Sequence, residues 1–275
     1  MRKHWIRNLP GSIYLIILAL IEALPLTLVL INSFKIHTDI VRNPLNITFS
    51  AGFKNYIDSW IACNFSLGFR NSIILSGSTI IIVLICSILA AYVIAGKKVK
   101  GTSIIVLYFL VAMTIPVQLF LFPLYSVLAR LKLIGNLFAV SFILAAVNLP
   151  LAISLLRAFL VNVPKELEEA ARMDGANTFQ VLWHIMTPII SPGLITVSVI
   201  VGLNSWNEYL VSSTFLQGAE NFTAVLSLAS FKGVNYANQG FNMAASIIMI
   251  VPVIAFFLIS QKYFIDGIAS GSVKG

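Results

Sequence analysis

Apolar residues in this chain come in long runs rather than in alternation with polar ones. The runs lie near residues 11–34, 71–96, 102–127, 136–157, 190–212 and 241–262. A helix of roughly 20 residues, rising 1.5 Å per residue, matches the ~30 Å hydrocarbon core of a bilayer. None of the runs alternates as the strands of a membrane barrel must. The pattern therefore predicts an all-α integral membrane protein with six transmembrane helices, in a single membrane domain over residues 1–275.

Composition sharpens this picture. Of the 275 residues 59% are hydrophobic and 10% charged, with mean hydropathy +0.94, whereas a soluble domain carries about 25% charged residues. The net charge of +8 comes from basic residues scattered between the apolar runs. They form no stripe with interleaved aromatics, so lipid is the expected partner surface and no nucleic acid is expected. Arg2-Lys3-His4 precede an apolar run from Ile13 to about Phe34. That run is longer than the 7–15 residues of a signal-peptide core, which predicts a retained first span.

Six spans put both ends of the chain on one side. Eleven of the 18 Lys and Arg residues fall on that side: before span one, between spans two and three, from Arg157 to Arg172, and after Gln261. Both termini are thus expected in the cytoplasm, although Arg130 and Lys132, in a short outer loop, run against the bias. Cys63 and Cys86 sit in no CxxC or His-rich spacing, and neither a metal site nor cysteine chemistry is expected.

Polar residues inside apolar runs are the next signal. Glu22 lies midway along span one, where a charge costs about 2.5–3.5 kcal/mol, and should face protein or water near Pro25 rather than lipid. It admits a functional and a structural reading equally. Span five carries Asn204, Asn207 and Glu208 at i, i+3 and i+4, three polar groups predicted to share a helix face that looks into the bundle. Amides and a carboxylate there can bond substrate hydroxyls while Trp206 stacks nearby, or they can simply bridge helices. Gln118, between Pro116 and Pro123, and Asn148, ahead of Pro150, follow by the same logic. In the first outer loop Phe49, Phe53, Tyr56 and Trp60 are spaced to fall on one face of a helix, lying along the membrane surface or offering a platform to a soluble partner.

The densest signal is the loop over 158–189. Pro164 suits a first helical position, Glu166, Glu168 and Glu169 complement the N-terminal dipole, and Gly175 supplies a left-handed stop. A second short helix is expected from Ala176 to about Ile185, ahead of Pro188 and Pro192, so that two short helices make a knob.

Glu169-Ala170-Ala171, Gly175, Ile185 and Pro188 resemble the cytoplasmic EAA loop of binding-protein-dependent ABC importer permeases; Thr187 stands where that family usually has Leu. The likeness extends to the maltose-type, carbohydrate branch through Tyr56, Asn71-Ser72, Pro116, Gln118, Pro123 and Leu155-Leu156-Arg157. Asp174-Gly175-Ala176, Ser205-Trp206-Asn207, Gln261-Lys262-Tyr263-Phe264 and Val273-Lys274-Gly275 complete it.

The resemblance implies a permease subunit of an ATP-driven importer in a bacterial or archaeal cytoplasmic (inner) membrane, carrying a sugar or oligosaccharide. Its partners would be a second permease, two ATPase subunits and an external solute-binding protein. Glu169, Ala170, Ala171, Asp174, Gly175, Ile185 and Pro188 would couple to the ATPase, and the tail after Gln261 would touch the ATPase pair. The sequence contains no GxxxxGK[ST] phosphate loop and no HExxH or GxSxG signature. No enzyme activity is expected, and no cofactor is expected on this chain; ATP and Mg would be used by the partner ATPase. The alternative is an ion-driven secondary transporter or channel. It is disfavoured because Glu22 and Glu208 have no mid-span cation to pair with.

Overall fold

The computed structural model describes residues 9–96, 99–234 and 238–272, and every regular element among them is helical. The basic cluster Arg2-Lys3-His4 and the closing Val273-Lys274-Gly275 lie outside the described residues. In chain order the helices are α1 Leu9–Ser33, α2 His37–Arg42, α3 Lys54–Ala62, α4 Phe65–Ala95 and α5 Thr102–Ala112. After a 3-10 turn at Val117–Phe120 come α6 Leu121–Arg130, α7 Leu137–Val161 and α8 Lys165–Met173. Then follow α9 Thr178–Ile189, α10 Ser191–Trp206, α11 Leu210–Phe215, α12 Ala224–Val234 and α13 Gln239–Ser272.

Four segments are long and apolar enough to cross a membrane: Gly11–Ser33, Phe65–Ala95, Leu137–Val161 and Gln239–Gln261. The number rises to six if two bent pairs each count as one span, Thr102–Ala112 with Val117–Arg130 (89°) and Thr178–Ile189 with Ser191–Trp206 (78°). The run at 102–127 is therefore not one straight helix. Pro116 has no N–H and takes an extended ψ of 133°, and it biases the residue ahead of it away from the α region, so the helix stops at Ala112. Pro123 is tolerated because it falls in the first turn of α6. The run at 190–212 is also interrupted, with α10 ending at Trp206 and a new helix starting at Leu210. α13, by contrast, continues as helix to Ser272, past the end expected at 262, because polar residues that stop a span need not stop a helix.

The chain forms two compact units, Met1–Ser66 with Ser227–Pro252, and Leu67–Leu226 with Val253–Gly275. In the first, the apolar window of α1 is 0% buried. Glu22 is exposed, so the protein neighbour expected for it is not supplied by the unit in which it sits. The loop aromatics do not share one helix face: Phe49 and Phe53 precede α3, and Phe34, at the end of span one, gathers Phe49, Phe53 and Tyr56 at ring distances of 5.1–5.5 Å. Trp60 packs on Phe65 instead and donates to Ser66 Oγ. Lys35 is fully buried, and its Nζ donates to the carbonyls of Pro44 (3.1 Å) and Asn43 (3.4 Å), pinning the loop that follows span one.

In the second unit two apolar clusters form around α4 and α7. One joins Val83, Tyr92, Leu156, Ala171, Val181, Met186 and Val197, so that α8 and α9 are packed directly onto the spans. The other joins Leu75, Leu128, Leu144 and Phe215. Polar links run through the same contacts: Ser78 and Ser141 hydroxyls lie 2.6 Å apart, and small polar groups of this kind join helices where no water competes. At Gly193 a Cβ would sit 2.6 Å from the Phe159 ring, so glycine there lets α10 approach α7.

Gly193→Ala should therefore destabilise the protein by about 1–3 kcal/mol through overpacking. Phe159→Leu in the same background should recover most of the loss. Thermal unfolding of the detergent-purified protein checks this, and an unchanged midpoint in Gly193→Ala would mean that α7 and α10 part freely.

Candidate functional site

Two sites follow from the elements above, a polar knob built from α8 and α9 and a cavity between α7 and α10. The knob begins after Val161, four residues later than the 158 read from the sequence, because α7 continues for one further turn. Pro164 holds the cap position (φ −58°, ψ 132°) rather than the first helical one, and Glu166 and Glu168 stand in the first turn of α8. Beyond Met173 the chain closes as a left-handed stop, with Gly175 at φ +88°. The Ala176 N–H donates to the Ala171 carbonyl (2.9 Å), which satisfies an acceptor that the helix end leaves open.

The second helix starts at Thr178 rather than Ala176. Asn177 and Gln180 form a reciprocal capping box, Gln180 N–H to Asn177 Oδ1 at 3.0 Å and Asn177 N–H to Gln180 Oε1 at 2.8 Å. This helix also runs beyond Ile185, widening to a π turn over Val181–Met186 just ahead of Pro188. Proline cannot donate to the preceding turn. Thr187 has a role here that leucine could not fill, since its hydroxyl donates to the Leu182 carbonyl at 2.8 Å.

Of the predicted loop residues, Ala171 is buried and Ile185 half-buried against the spans, while Glu169, Ala170, Asp174, Gly175 and Pro188 are exposed. Met173, Phe179 and Trp183 add exposed apolar surface to the same knob. What fixes its angle is Glu168, which the sequence reading treated only as a dipole partner. Tyr92 OH, on α4, donates to Glu168 Oε1 at 2.9 Å, and Arg172 donates to the same oxygen from Nη2 (2.9 Å) and Nε (3.2 Å). These bonds push the Arg172 guanidinium further up from its already high range, Glu168 first and Tyr92 second. A tyrosine 76 residues away in sequence left no local signal; the capping residues Asn177 and Gln180 did leave one, the N-x-x-Q spacing.

The cavity within the spans has a volume of about 360 Å3 and is lined by Val117, Leu144, Val147, Asn148, Leu203, Asn204, Asn207, Glu208 and Val211. It brings together the three span-five residues and Asn148. It does not include Gln118, which is exposed on the 3-10 turn, or Trp206, which packs edge-on against Phe69 at 5.6 Å. The polar residues do not share one continuous helix face, since α10 ends at Trp206 and Asn207 is its cap. Asn204 Nδ2 donates to Asn148 Oδ1 at 3.0 Å, and Asn148 Nδ2 donates to the Leu144 carbonyl at 2.8 Å.

Glu208 is engaged otherwise. Its carboxylate accepts from Val211 N–H (2.6 Å), Ser212 N–H (2.8 Å) and Ser212 Oγ (2.7 Å), serving the open donors at the start of α11. Its first task is thus to hold the break between α10 and α11. The amides of Asn204, Asn207 and Asn148 keep unused donors or acceptors, and these can meet a hydroxyl-rich molecule in the cavity.

Comparison with known proteins bears on the chain as a whole. The model of the family "binding-protein-dependent transport system inner membrane component" matches residues 83–270. A probable ABC transporter permease protein, YurM, of Bacillus subtilis is 31% identical over 100% of this chain and 91% of its own length. The arabinooligosaccharides transport system permease protein AraQ of Halalkalibacterium halodurans is 31% identical over 94% of this chain and 93% of its own. Among solved structures, a bacterial ABC transporter involved in import of the acidic polysaccharide alginate has the same fold, with a TM-score of 0.78 at 23% identity over 96% of this chain and 98% of that one.

Removing the Tyr92 hydroxyl with Tyr92→Phe should loosen α8 by about 1–2 kcal/mol, since it deletes a bond to a charged group. Arg172→Ala removes only an exposed i,i+4 pair, which solvent screens. Amide hydrogen exchange across Lys165–Met173 should therefore accelerate roughly 5–30-fold in the first variant and about twofold in the second. Equal acceleration would show that Tyr92 is not the tether.

Proposed function

The chain belongs to the family of binding-protein-dependent transport system inner membrane components, and on that premise we propose that it forms, with a second permease subunit, the translocation path of an ATP-driven importer of sugars or oligosaccharides. The observation that carries this reading is similarity over the whole chain to ABC transporter permeases, several of them for oligosaccharides: AraQ, and the melibiose/raffinose/stachyose import permease MelC of Bacillus subtilis, 32% identical over 81% of each chain. The assembly would comprise both permeases, two ATPase subunits that use ATP and Mg, and an external solute-binding protein. A related crystal structure is of an alginate ABC transporter in complex with an alginate pentasaccharide-bound periplasmic protein.

In this reading the chain is one importer transmembrane domain with six spans, the third of them bent and the fifth formed by α10 after α9 of the loop, and both termini in the cytoplasm of a bacterium or archaeon. The loop between spans four and five is the coupling element. Glu169, Ala170, Ala171, Asp174, Gly175, Ile185 and Pro188 would dock it on the ATPase. Its exposed Met173, Phe179 and Trp183 suit an apolar cleft, and exposed Glu169 suits a cation on that partner. The Glu168–Tyr92 tether then passes a movement of the knob to α4. The uncovered α1, with Glu22 exposed, supports a second subunit that covers the apolar window or supplies a wet surface to the carboxylate. Asn148, Asn204 and Asn207 would meet solute hydroxyls, with Glu208 keeping their cavity open.

Two results are expected in the assembled complex. Asn204→Ala and Glu208→Gln should lower uptake several-fold while leaving assembly intact, the first through a lost contact and the second through a loosened α11. Normal uptake in both would remove this cavity from the path.

Gly175→Val requires a branched residue at φ +88°, at a cost of at least about 1–2 kcal/mol, and should reduce ATPase retention or raise the ATP hydrolysed per solute imported. Glu169→Lys, a reversed charge, should weaken docking. Purification through a tag on the ATPase, with coupling measured on the same samples, checks both. Normal docking and coupling in both variants would take the transmission role away from this loop.

A further inference from the structure

Arg157 is a half-buried cation near the end of α7, and its Nε atom is buried without a hydrogen-bond partner. A guanidinium offers five N–H donors and no acceptor, and an unpaired buried donor of a charged group is costly. Two cavities meet on this side chain. One, of about 440 Å3, is lined by Val99, Gly101, Thr102, Ser103, Val106 and Arg157. The other, of about 490 Å3, adds Tyr92, Lys165 and Glu168 to Arg157 among its polar lining.

The chemistry of the first cavity selects an anion. Among the described residues of its lining Arg157 alone is charged, and Ser103 brings a hydroxyl, while the Thr102 hydroxyl donates to the Val99 carbonyl (2.8 Å). The wall is the first turn of α5, whose leading N–H groups have no acceptor within the helix. In the second cavity the carboxylate of Glu168 is already engaged by Arg172 and Tyr92, so the balance there is cationic as well. A planar guanidinium with a serine hydroxyl beside it matches a phosphate, which it can bind through two parallel N–H bonds.

The surroundings select the source of that phosphate. No residue of α5 is buried, and Ile104, Leu107, Tyr108 and Val111 are exposed along it, while Val99 and Val106 line the cavity itself. An acyl chain carried by the phosphate could run along this apolar helix, from which a free phosphate would gain nothing. Basic pockets at the ends of spans attract anionic headgroups for the same electrostatic reason.

We propose that Arg157, with Ser103, seats the phosphate of an anionic lipid headgroup against α5, joining the start of span three to the end of span four through a bound lipid. The proposal rests on these helices lying in a membrane, and not on the identity of the solute.

The test is native mass spectrometry of the full-length protein, with whatever subunits co-purify, after exchange into micelles containing phosphatidylglycerol or phosphatidylcholine. The wild-type chain should retain phosphatidylglycerol at least about tenfold over phosphatidylcholine. Arg157→Gln should abolish the preference. So should Ser103→Asp, which places a carboxylate in the seat and leaves Arg157 intact should its loss impair folding. No preference in the wild type, or a preference that survives both substitutions, overturns the proposal. Inorganic phosphate at millimolar concentration should not displace the lipid; if it does so completely, the site binds a free anion and the lipid assignment falls. Recovery of an ATPase subunit is scored on the same samples, so a failed importer reading stays distinguishable from a failed lipid site.

Discussion

Hydrocarbon forms no hydrogen bonds, and most of what this chain does with its backbone follows from that. Long helices satisfy their own N–H and C=O groups, but each interruption leaves groups that water cannot reach. The chain repairs its breaks with side chains. Glu208 accepts from Val211 and Ser212 where α11 starts. Asn71 donates to the carbonyls of Glu220 and Phe222, and Ser72 accepts from Ala224 N–H, which secures the irregular stretch between α11 and α12. Lys35 does the same for the loop after α1, its ammonium spent on two backbone carbonyls. These polar residues near the spans are therefore occupied first with the backbone, and only their remaining capacity is open to another partner.

The same accounting separates the residues of the inner cavity by role. A carboxylate holding three donors is a poor partner for a passing hydroxyl, because any new bond must displace one already made. The amides differ. Asn204 and Asn148 hold each other through one bond and retain capacity on both sides. On the function proposed above, the charged residue would fix the backbone while the neutral amides would meet solute hydroxyls.

At the knob the constraint is relaxed, and short helices with caps become possible. Gly175, the Asn177–Gln180 capping box and the π turn ahead of Pro188 define two short segments at a set angle. Ala171 and Val181 bury one side of them in the same apolar cluster as Tyr92 and Leu156. The knob is thereby packed on α4 and α7 without an intervening flexible link, as the proposed transmission role would require.

Much of this was written in local sequence. Apolar runs of the right length matched four helices able to cross a membrane, and six only if each bent pair counts as one span; the helix stop at Gly175 was readable from one residue's conformational freedom, and Asn204, Asn207, Glu208 and Asn148 stood out as polar residues in apolar surroundings. Local pattern could not supply pairings between distant residues. Nothing near Glu168 points to Tyr92, and nothing near Phe34 announces the rings that gather on it. Nor could hydropathy tell a straight span from a bent one, because a run such as 102–127 stays apolar through its break at Met113–Pro116 while the backbone turns by 89°. Solvent transfer free energy sums along the chain and so is fixed by sequence alone. The direction of each helix after a break, and the choice of which polar groups meet across it, depend on packing between segments far apart in the chain, and that only the tertiary structure decided.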